Sequence, residues 1–170
     1  SFYPVYCGLY GVDFEQIPLT EKFEINPRLY EKPNGGIIFP NPNAPTGVLT
    51  SLQQIEEMLQ KNSESVVVVD EAYIDFLDAP DNESMISLIE KNPNILVIRT
   101  FSKIHAMAGL RVGFIIGNPS LIEQIESNYF YSSQMCVSNL SMVAALASLE
   151  DEEHRKQCKQ KIGAARQYTF

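Results

Sequence analysis

The sequence contains few residues of the kinds that bind metals or form disulfides. It has two histidines, His105 and His154, and three cysteines among 170 residues. The cysteines, Cys7, Cys136 and Cys158, are scattered and odd in number, without metal-ligand or CxxC spacing. This pattern disfavours a histidine-based metal site and a disulfide framework, and it predicts reduced thiols in a cytoplasmic protein.

Long apolar runs and an excess of positive charge are also missing. No apolar stretch reaches the roughly 18 residues that suggest a membrane-spanning helix, so we expect no membrane partner. The 13 basic residues are outnumbered by 21 acidic ones, giving a net charge of −8, which disfavours a nucleic-acid partner. The first residues lack the charged and apolar regions of a signal peptide. We expect Ser1 and Phe170 to be internal positions of a longer protein.

Three common functional motifs are absent as well. The sequence has no GxGxxG, which leaves a dinucleotide site without support. It has no GxxxxGK followed by Ser or Thr, which argues against a P-loop kinase or ATPase. It also lacks the GxSxG elbow of many serine hydrolases.

Apolar strand patterns alternate with helix patterns along the chain. Strands are predicted at 12–19, 37–39, 66–69, 95–98 and 111–117. Helices are predicted at 3–10, from residue 50 or 51 to about 62, at 84–91, 118–128 and 137–149, and from 151 onward. The valine run 66–69 is apolar at every position, which is typical of a strand covered on both faces. The alternation predicts an α/β fold with a mostly parallel sheet flanked by helices.

Polar residues follow three of these strands. The loop 41–47 is rich in turn formers, Asp70 ends the valine run, and Lys103 lies just after the strand at 95–98. In such sheets ligands bind beyond the carboxyl ends of the strands. We therefore expect these three segments to meet at one edge of the sheet.

Lys103 and Asp70 have the chemistry needed to hold a phosphorylated aldehyde cofactor. A lysine that burial and a nearby Arg111 keep uncharged can form an imine with an aldehyde. A carboxylate at the end of an apolar strand needs a partner, and a protonated pyridine nitrogen is a suitable one. The simpler alternatives stay open: Asp70 caps the following turn, and Lys103 is a solvated loop residue.

Further side chains can complete such a site, and each has a plainer alternative. Tyr73 can reach a ring oxygen, or it is one more half-buried tyrosine. Asn43 can point its amide at the same ring, or it belongs to a structural turn like Asn41. A phosphate can be bound by two hydroxyls and a guanidinium, at Thr100, Ser102 and Arg111, whose alternative is turn capping beside a surface arginine. We expect His105 to be a packing or hydrogen-bonding residue rather than a base.

Four segments together resemble the fold-type I aminotransferases that use pyridoxal phosphate. They are Asn-Pro-Asn-Ala-Pro-Thr-Gly at 41–47, Val-Asp-Glu-Ala-Tyr at 69–73, Thr-Phe-Ser-Lys at 100–103 and Ala-Gly-Leu-Arg-Val-Gly-Phe at 108–114. Within that group the chain is most similar to the histidinol-phosphate aminotransferases. The resemblance implies a large domain truncated at both ends, with the cofactor-binding domain at 1–150. Residues 151–170 would start the helix that leads to a small C-terminal domain.

The resemblance also implies roles at matching positions. Lys103 would bind the cofactor aldehyde and then move a proton between substrate and cofactor. Asp70 would pair with the pyridinium nitrogen, Tyr73 would hydrogen-bond the 3-oxygen, and Tyr3 would stack on the ring. The phosphate would be held by Thr100, Ser102 and Arg111.

One position departs from the family pattern. The family usually has an asparagine directly before Pro-Thr-Gly, where this chain has Ala44, which cannot donate a hydrogen bond. We expect Asn43 to supply that bond to the 3-oxygen.

The family also implies a homodimer and small amino and keto substrates, most closely histidinol phosphate with 2-oxoglutarate. Two alternatives remain. One is another fold-type I enzyme, such as a threonine-phosphate decarboxylase or an aromatic aminotransferase. The other is a non-catalytic interaction domain that no longer binds pyridoxal phosphate.

Overall fold

A four-stranded sheet organises the part of the chain that the structure describes. The computed structural model describes residues 2–132 and 137–169, so Cys136 lies outside the described residues. The strands, in spatial order, are β1 (Gly36–Pro40), β2 (Val66–Asp70), β3 (Ile95–Thr100) and β4 (Gly113–Gly117). The first three are parallel, and β4 runs antiparallel to β3. The predicted mostly parallel sheet is confirmed.

Helices connect and flank the strands. They are α1 (Tyr3–Tyr10), α2 (Leu52–Lys61), α3 (Pro80–Glu83), α4 (Pro119–Ser132), α5 (Asn139–Glu150) and α6 (Glu152–Thr169). Short 3-10 helices lie at Pro27–Tyr30, Ile74–Phe76, Met85–Leu88 and Ala108–Leu110. None of the helices in the described ranges combines the length and apolar character that crossing a bilayer requires. The predicted boundary at residue 150 falls between α5 and α6, and the assignment of 151–170 to a separate domain stays a prediction.

The core lies between α2 and one face of the sheet. Ser51 begins α2 with a capping box, in which its hydroxyl accepts the Gln54 N–H and the Gln54 side chain accepts the Ser51 N–H. The inward face of α2 then buries apolar side chains, at Ile55, Met58 and Leu59. Alternate strand residues meet them from the sheet, at Ile37, Phe39, Val67, Val69, Ile95 and Val97. This packing fixes the strands whose ends carry the polar segments.

The expectation that the valine run is covered on both faces is only half correct. Val67 and Val69 are fully buried, whereas Val66 and Val68 are half-buried. The strand therefore has an ordinary two-residue alternation, with one face in the core and one partly open. Its all-valine sequence concealed this alternation.

Three element predictions differ from the structure. The strand predicted at 12–19 is irregular, because no strand in the described residues pairs with it and Pro18 cannot donate a ladder hydrogen bond. The helix predicted at 84–91 is a single 3-10 turn at Met85–Leu88. The strand predicted from residue 111 begins at Gly113, because Arg111 has a left-handed backbone with φ of 54°.

Candidate active site

Backbone hydrogen bonds bring the three predicted segments to one edge of the sheet. The Asn41 N–H donates to the Asp70 carbonyl at 2.9 Å, and the Glu71 N–H donates to the Ile98 carbonyl at 2.9 Å. The ladder thus continues one residue past the ends of β1 and β2. The loop 41–47, the turn after Asp70 and the segment containing Lys103 all leave the sheet at this edge.

Asp70 lies in contact with Tyr3 from α1. The Tyr3 hydroxyl donates to Oδ2 of Asp70 at 2.8 Å, while Oδ1 accepts the Ala72 N–H at 3.1 Å. Burial, followed by the hydrogen bond and the charge of Asp70, raises the pKa of Tyr3 well above its usual value. This geometry agrees with the simpler interpretation of Asp70, because Oδ1 caps the following turn. Oδ2 faces the Tyr3 hydroxyl.

Lys103 lies close to Tyr73. Its Nζ is 4.9 Å from the centroid of the Tyr73 ring, within the range of a cation–π contact. Lys103 is exposed, and Tyr73 is 36% exposed. The burial expected for the lysine is thus not seen in this chain, although the predicted neighbourhood of amine and phenol is.

The three predicted phosphate ligands are neighbours in the fold. The Phe101 N–H donates to the Val112 carbonyl at 3.1 Å, so the residues on either side of this pair lie near one another. Oγ1 of Thr100 accepts the Ser102 N–H at 3.1 Å. The Arg111 guanidinium, by contrast, donates to the Ala108 carbonyl of its own turn at 3.1 Å. Two hydroxyls and one guanidinium therefore lie around a single junction of the chain.

The loop 41–47 is a structural unit held by its own side chains. Asn41 is fully buried, and its amide exchanges two hydrogen bonds with the Thr50 backbone, at 3.0 and 2.8 Å. Oδ1 of Asn43 accepts the Thr46 hydroxyl at 2.8 Å. The structural interpretation of Asn41 agrees with this geometry. The hydrogen bond from Asn43 to the 3-oxygen, in place of the donor missing at Ala44, stays a prediction.

Sequence reasoning missed a buried ion pair directly beneath this edge. Glu71 is 1% exposed, and one of its oxygens lies 3.0 Å from Nη2 of Arg99. The carboxylate also accepts the Met85 N–H at 2.6 Å and the Ser84 hydroxyl at 2.9 Å. Burial raises the pKa of Glu71, and these partners oppose that rise. Two features of the sequence could have indicated this ion pair: a carboxylate directly after Asp70, at Glu71, and a cation directly before Thr100, at Arg99.

The segments carrying these residues have known relatives. The chain matches the family aminotransferase class I and II over residues 1–169. It is 52% identical over 169 residues to histidinol-phosphate aminotransferase 2 of Dechloromonas aromatica (strain RCB), covering 98% of this chain and 46% of that protein. It is 54% identical over 164 residues to histidinol-phosphate aminotransferase 1 of Hydrogenovibrio crunogenus, covering 95% of this chain and 44% of that protein. The chain spans about half the length of the curated relatives it matches.

A solved structure shares the architecture. The crystal structure of histidinol-phosphate aminotransferase from Sinorhizobium meliloti in complex with pyridoxal-5'-phosphate superposes with a TM-score of 0.84 at 23% identity. The match covers 97% of this chain and 45% of that one, and at this identity it shows the fold alone. The fold and the resemblance predicted from the four segments are confirmed: the chain belongs to the aminotransferase class I and II family.

Proposed function

We propose that this chain forms the cofactor-binding part of a pyridoxal phosphate-dependent aminotransferase. The observation that carries the proposal is that the segments of Asp70 and of the Lys103–Tyr73 pair leave the sheet at one edge. These are the acid, amine and phenol that such a cofactor requires, and they lie in segments that match the family.

The residues present fit the chemical groups of this cofactor. Its ring nitrogen needs an anion, and Asp70 is a carboxylate oriented by two hydrogen bonds. Its aldehyde needs an amine, which Lys103 carries beside the Tyr73 phenol. Its phosphate needs hydroxyls and a cation, which meet at the junction of Thr100, Ser102 and Arg111. When bound, the cofactor supplies an electron sink for negative charge at the substrate α-carbon.

Each residue then has a defined task. Lys103 would hold the cofactor at its aldehyde carbon through Nζ, and Nζ, once displaced by the substrate amine, would carry a proton to and from the substrate. Asp70 holds a proton on the ring nitrogen, because the charge of its carboxylate favours the cationic ring. Tyr73 and Asn43 orient the ring through its 3-oxygen. Tyr3 fixes the Asp70 carboxylate through its hydroxyl and offers its ring to the cofactor.

Substrate, assembly and location are proposed more broadly. The names of the relatives support histidinol phosphate as the amino substrate. We propose 2-oxoglutarate as the amino acceptor, which makes the reaction a step of histidine biosynthesis. We further propose that the enzyme is a cytoplasmic homodimer acting on small amino and keto substrates. The free thiols of Cys7 and Cys158 are compatible with a reducing compartment.

Reductive trapping tests the cofactor assignment. The purified chain is incubated with pyridoxal phosphate, reduced with borohydride, digested and mapped by mass spectrometry. We expect one modified peptide, carrying the label on Lys103, and its loss in Lys103→Ala. Lys91→Ala is the matched control, because Lys91 is an exposed lysine that lies before β3 rather than after it. Equal labelling of Lys103→Ala would remove the assigned role, and an unlabelled wild-type chain would favour the non-catalytic alternative.

Asp70→Asn tests the ring-nitrogen assignment separately. The amide preserves the shape of the side chain and removes its charge, so labelling at Lys103 should persist. In the complete enzyme, transamination of histidinol phosphate should fall by orders of magnitude, because the ring nitrogen is no longer held protonated. Unchanged turnover would refute this role for Asp70.

A further inference from the structure

Lys103 lies on a tight turn that needs support from outside. The Met107 N–H donates to the Phe101 carbonyl at 3.0 Å, and the Ala106 N–H donates to the Lys103 carbonyl at 2.9 Å. Ala106 adopts a left-handed backbone with φ of 56°. This conformation is unfavourable for a residue with a Cβ, so contacts elsewhere must hold the turn in place.

The two side chains that flank Lys103 at a distance of two residues supply those contacts. Phe101 and His105 are 4% and 6% exposed, whereas Lys103 is exposed. The two rings pack together with centroids 4.7 Å apart. The turn is therefore fixed through its buried neighbours and presents the amine outward.

His105 is tied to a distant element by a hydrogen bond. Its Nδ1 lies 2.7 Å from Oγ of Ser148, which is in α5 and is 5% exposed. The described buried residues of α5 are all small, namely Ser141, Ala145 and Ser148. Oγ of Ser141 is used at the start of the helix, where it accepts the Ser138 hydroxyl at 2.9 Å. A buried hydroxyl needs a partner, and Ser148 finds it in His105.

Burial, reinforced by nearby positive charge, lowers the pKa of His105 and so favours the neutral imidazole. Burial, then Arg155 and His154 of α6, lower the pKa of His105, while Asp75 acts in the opposite sense. Oδ1 of Asp75 is 3.6 Å from Nη1 of Arg99. Because Asp75 already pairs with this cation, it stabilises a protonated His105 less. Since the folded state binds this proton more weakly than the unfolded chain, the contribution of His105 to stability is lost as pH falls below its ordinary value near 6.5.

We propose that His105 and Ser148 form a positioning pair that fixes the turn carrying Lys103 and thereby sets the reactivity of its amine. The proposal rests on the proposed function, since it assumes that Lys103 binds the cofactor aldehyde. Neither member touches the reacting atoms. They act by holding the backbone two residues away from Lys103 against α5.

Trapping rates at Lys103 test the pair. The chain and its variants are incubated with pyridoxal phosphate, reduced with borohydride at timed intervals, and assayed for label on the Lys103 peptide. Ser148→Ala should slow labelling about five- to tenfold, as expected for loss of one buried hydrogen bond. Ser148→Thr keeps the hydroxyl and should restore most of the rate. Ser141→Ala is the matched control, a buried serine of the same helix that hydrogen-bonds Ser138 rather than His105.

The pH profile separates positioning from simple stability. Labelling of the wild-type chain should decline at acidic pH partly because His105 becomes charged. His105→Asn offers a hydrogen-bonding amide that does not titrate. The labelling rate of this variant should therefore fall less at acidic pH than that of wild type, while it stays substantial at neutral pH. Circular dichroism verifies that each variant is folded, and Ser148→Thr and His105→Asn keep the test available if Ser148→Ala does not fold.

The outcomes distinguish this inference from the function beneath it. An unlabelled Lys103 in the wild-type chain would overturn both. The positioning role alone would be overturned if wild type is labelled at Lys103 and the folded Ser148→Ala variant is labelled at the same rate. The positioning role is likewise overturned if Ser141→Ala slows labelling as much as Ser148→Ala does.

Discussion

Replacing Arg99 by methionine should destabilise the fold strongly, because it leaves a buried carboxylate without its cation. The Glu71 side chain is fully buried, and the Arg99 side chain is 15% exposed. After the change, the partners that Glu71 retains among the described residues are the Met85 N–H and the Ser84 hydroxyl. Breaking a buried pair by removing one partner typically costs about 3–5 kcal/mol. We expect a loss of that size in the free energy of unfolding at neutral pH.

The loss should depend on pH, and its sign follows from the pKa of Glu71. Burial already raises this pKa above the reference value of 4.5, and Arg99 opposes the rise. In Arg99→Met the folded-state pKa should rise further. A carboxyl with a raised pKa binds its proton more tightly when folded, so stability falls as pH rises from the unfolded value through the folded one. The variant should therefore be closest to wild type in acid and weakest near neutral pH.

Urea unfolding followed by circular dichroism measures these differences. Glu71→Gln combined with Arg99→Met removes the stranded charge and should recover a large part of the loss. The double-mutant cycle should give a coupling energy of about 0.5–3 kcal/mol, the range for residues in direct contact. Lys32→Met is the control, since Lys32 pairs with Glu15 where the two side chains are 71% and 63% exposed. Such a pair contributes about 0–1 kcal/mol.

Either of two results would refute this account of the buried pair. One is an Arg99→Met chain that loses no more stability than Lys32→Met at neutral pH. The other is strict additivity of the Glu71→Gln and Arg99→Met effects, which would mean that the two charges do not stabilise one another.

Two further predictions concern the edge of the sheet and its glycines. Because the folded-state pKa of Tyr3 lies above its ordinary value of 10.0, its hydrogen bond to Asp70 stabilises the fold below about pH 10 and is lost as pH rises further. Tyrosinate absorbance should show a late-titrating component that Tyr3→Phe removes; an unchanged titration would contradict it. Gly113→Ala should cost about 1–3 kcal/mol, because its Cβ would lie 2.9 Å from the Arg99 carbonyl. At Gly163 in α6 the new Cβ would have no other described part of the chain within 4 Å beyond its own helix turn, so Gly163→Ala should instead stabilise by about 1 kcal/mol, and thermal unfolding compares the two.

Elements governed by local patterns were predictable from the sequence, and elements that need a distant partner were not. Ser51 and the apolar spacing behind it define α2 by themselves, and the apolar runs predicted the three parallel strands. The segment 12–19 had a strand-like composition, but a strand exists only where another strand accepts its hydrogen bonds. The 3-10 turn at Met85–Leu88 likewise depends on Glu71, which receives the Met85 N–H from 14 residues away.

The candidate site was predictable to the same degree. Polar residues after parallel strands had to converge on one edge, and the structure brings the segments of Asp70 and Lys103 there, with Lys103 beside Tyr73. The contact of His105 with Ser148 spans 43 residues and follows no local rule, so only the fold reveals it. The sequence left two alternatives for Lys103, buried or solvated, and could not decide between them, because the exposure depends on what packs over the turn.

One pattern was available in the sequence and explains why the missed ion pair lies where it does. Phe39, Val69 and Val97 are register partners on the core face of the sheet. Two residues further along, each strand leads to a polar residue: Asn41, Glu71 and Arg99. These three keep the same alternation and remain on that face. A buried row can end in polar groups only if they satisfy one another or the backbone, and Asn41 bonds Thr50 while Glu71 pairs with Arg99.

The intervening positions of the same alternation include Asp70 and Thr100, which point away from the core. Because Asp70 and Thr100 lie on the open side of the sheet, their chain neighbours Glu71 and Arg99 lie on the buried side. The ion pair follows from that constraint: it closes the polar end of the core beneath the two residues that we propose face the cofactor. A change to either charge should therefore disturb the placement of Asp70 or Thr100 as well as the stability of the sheet.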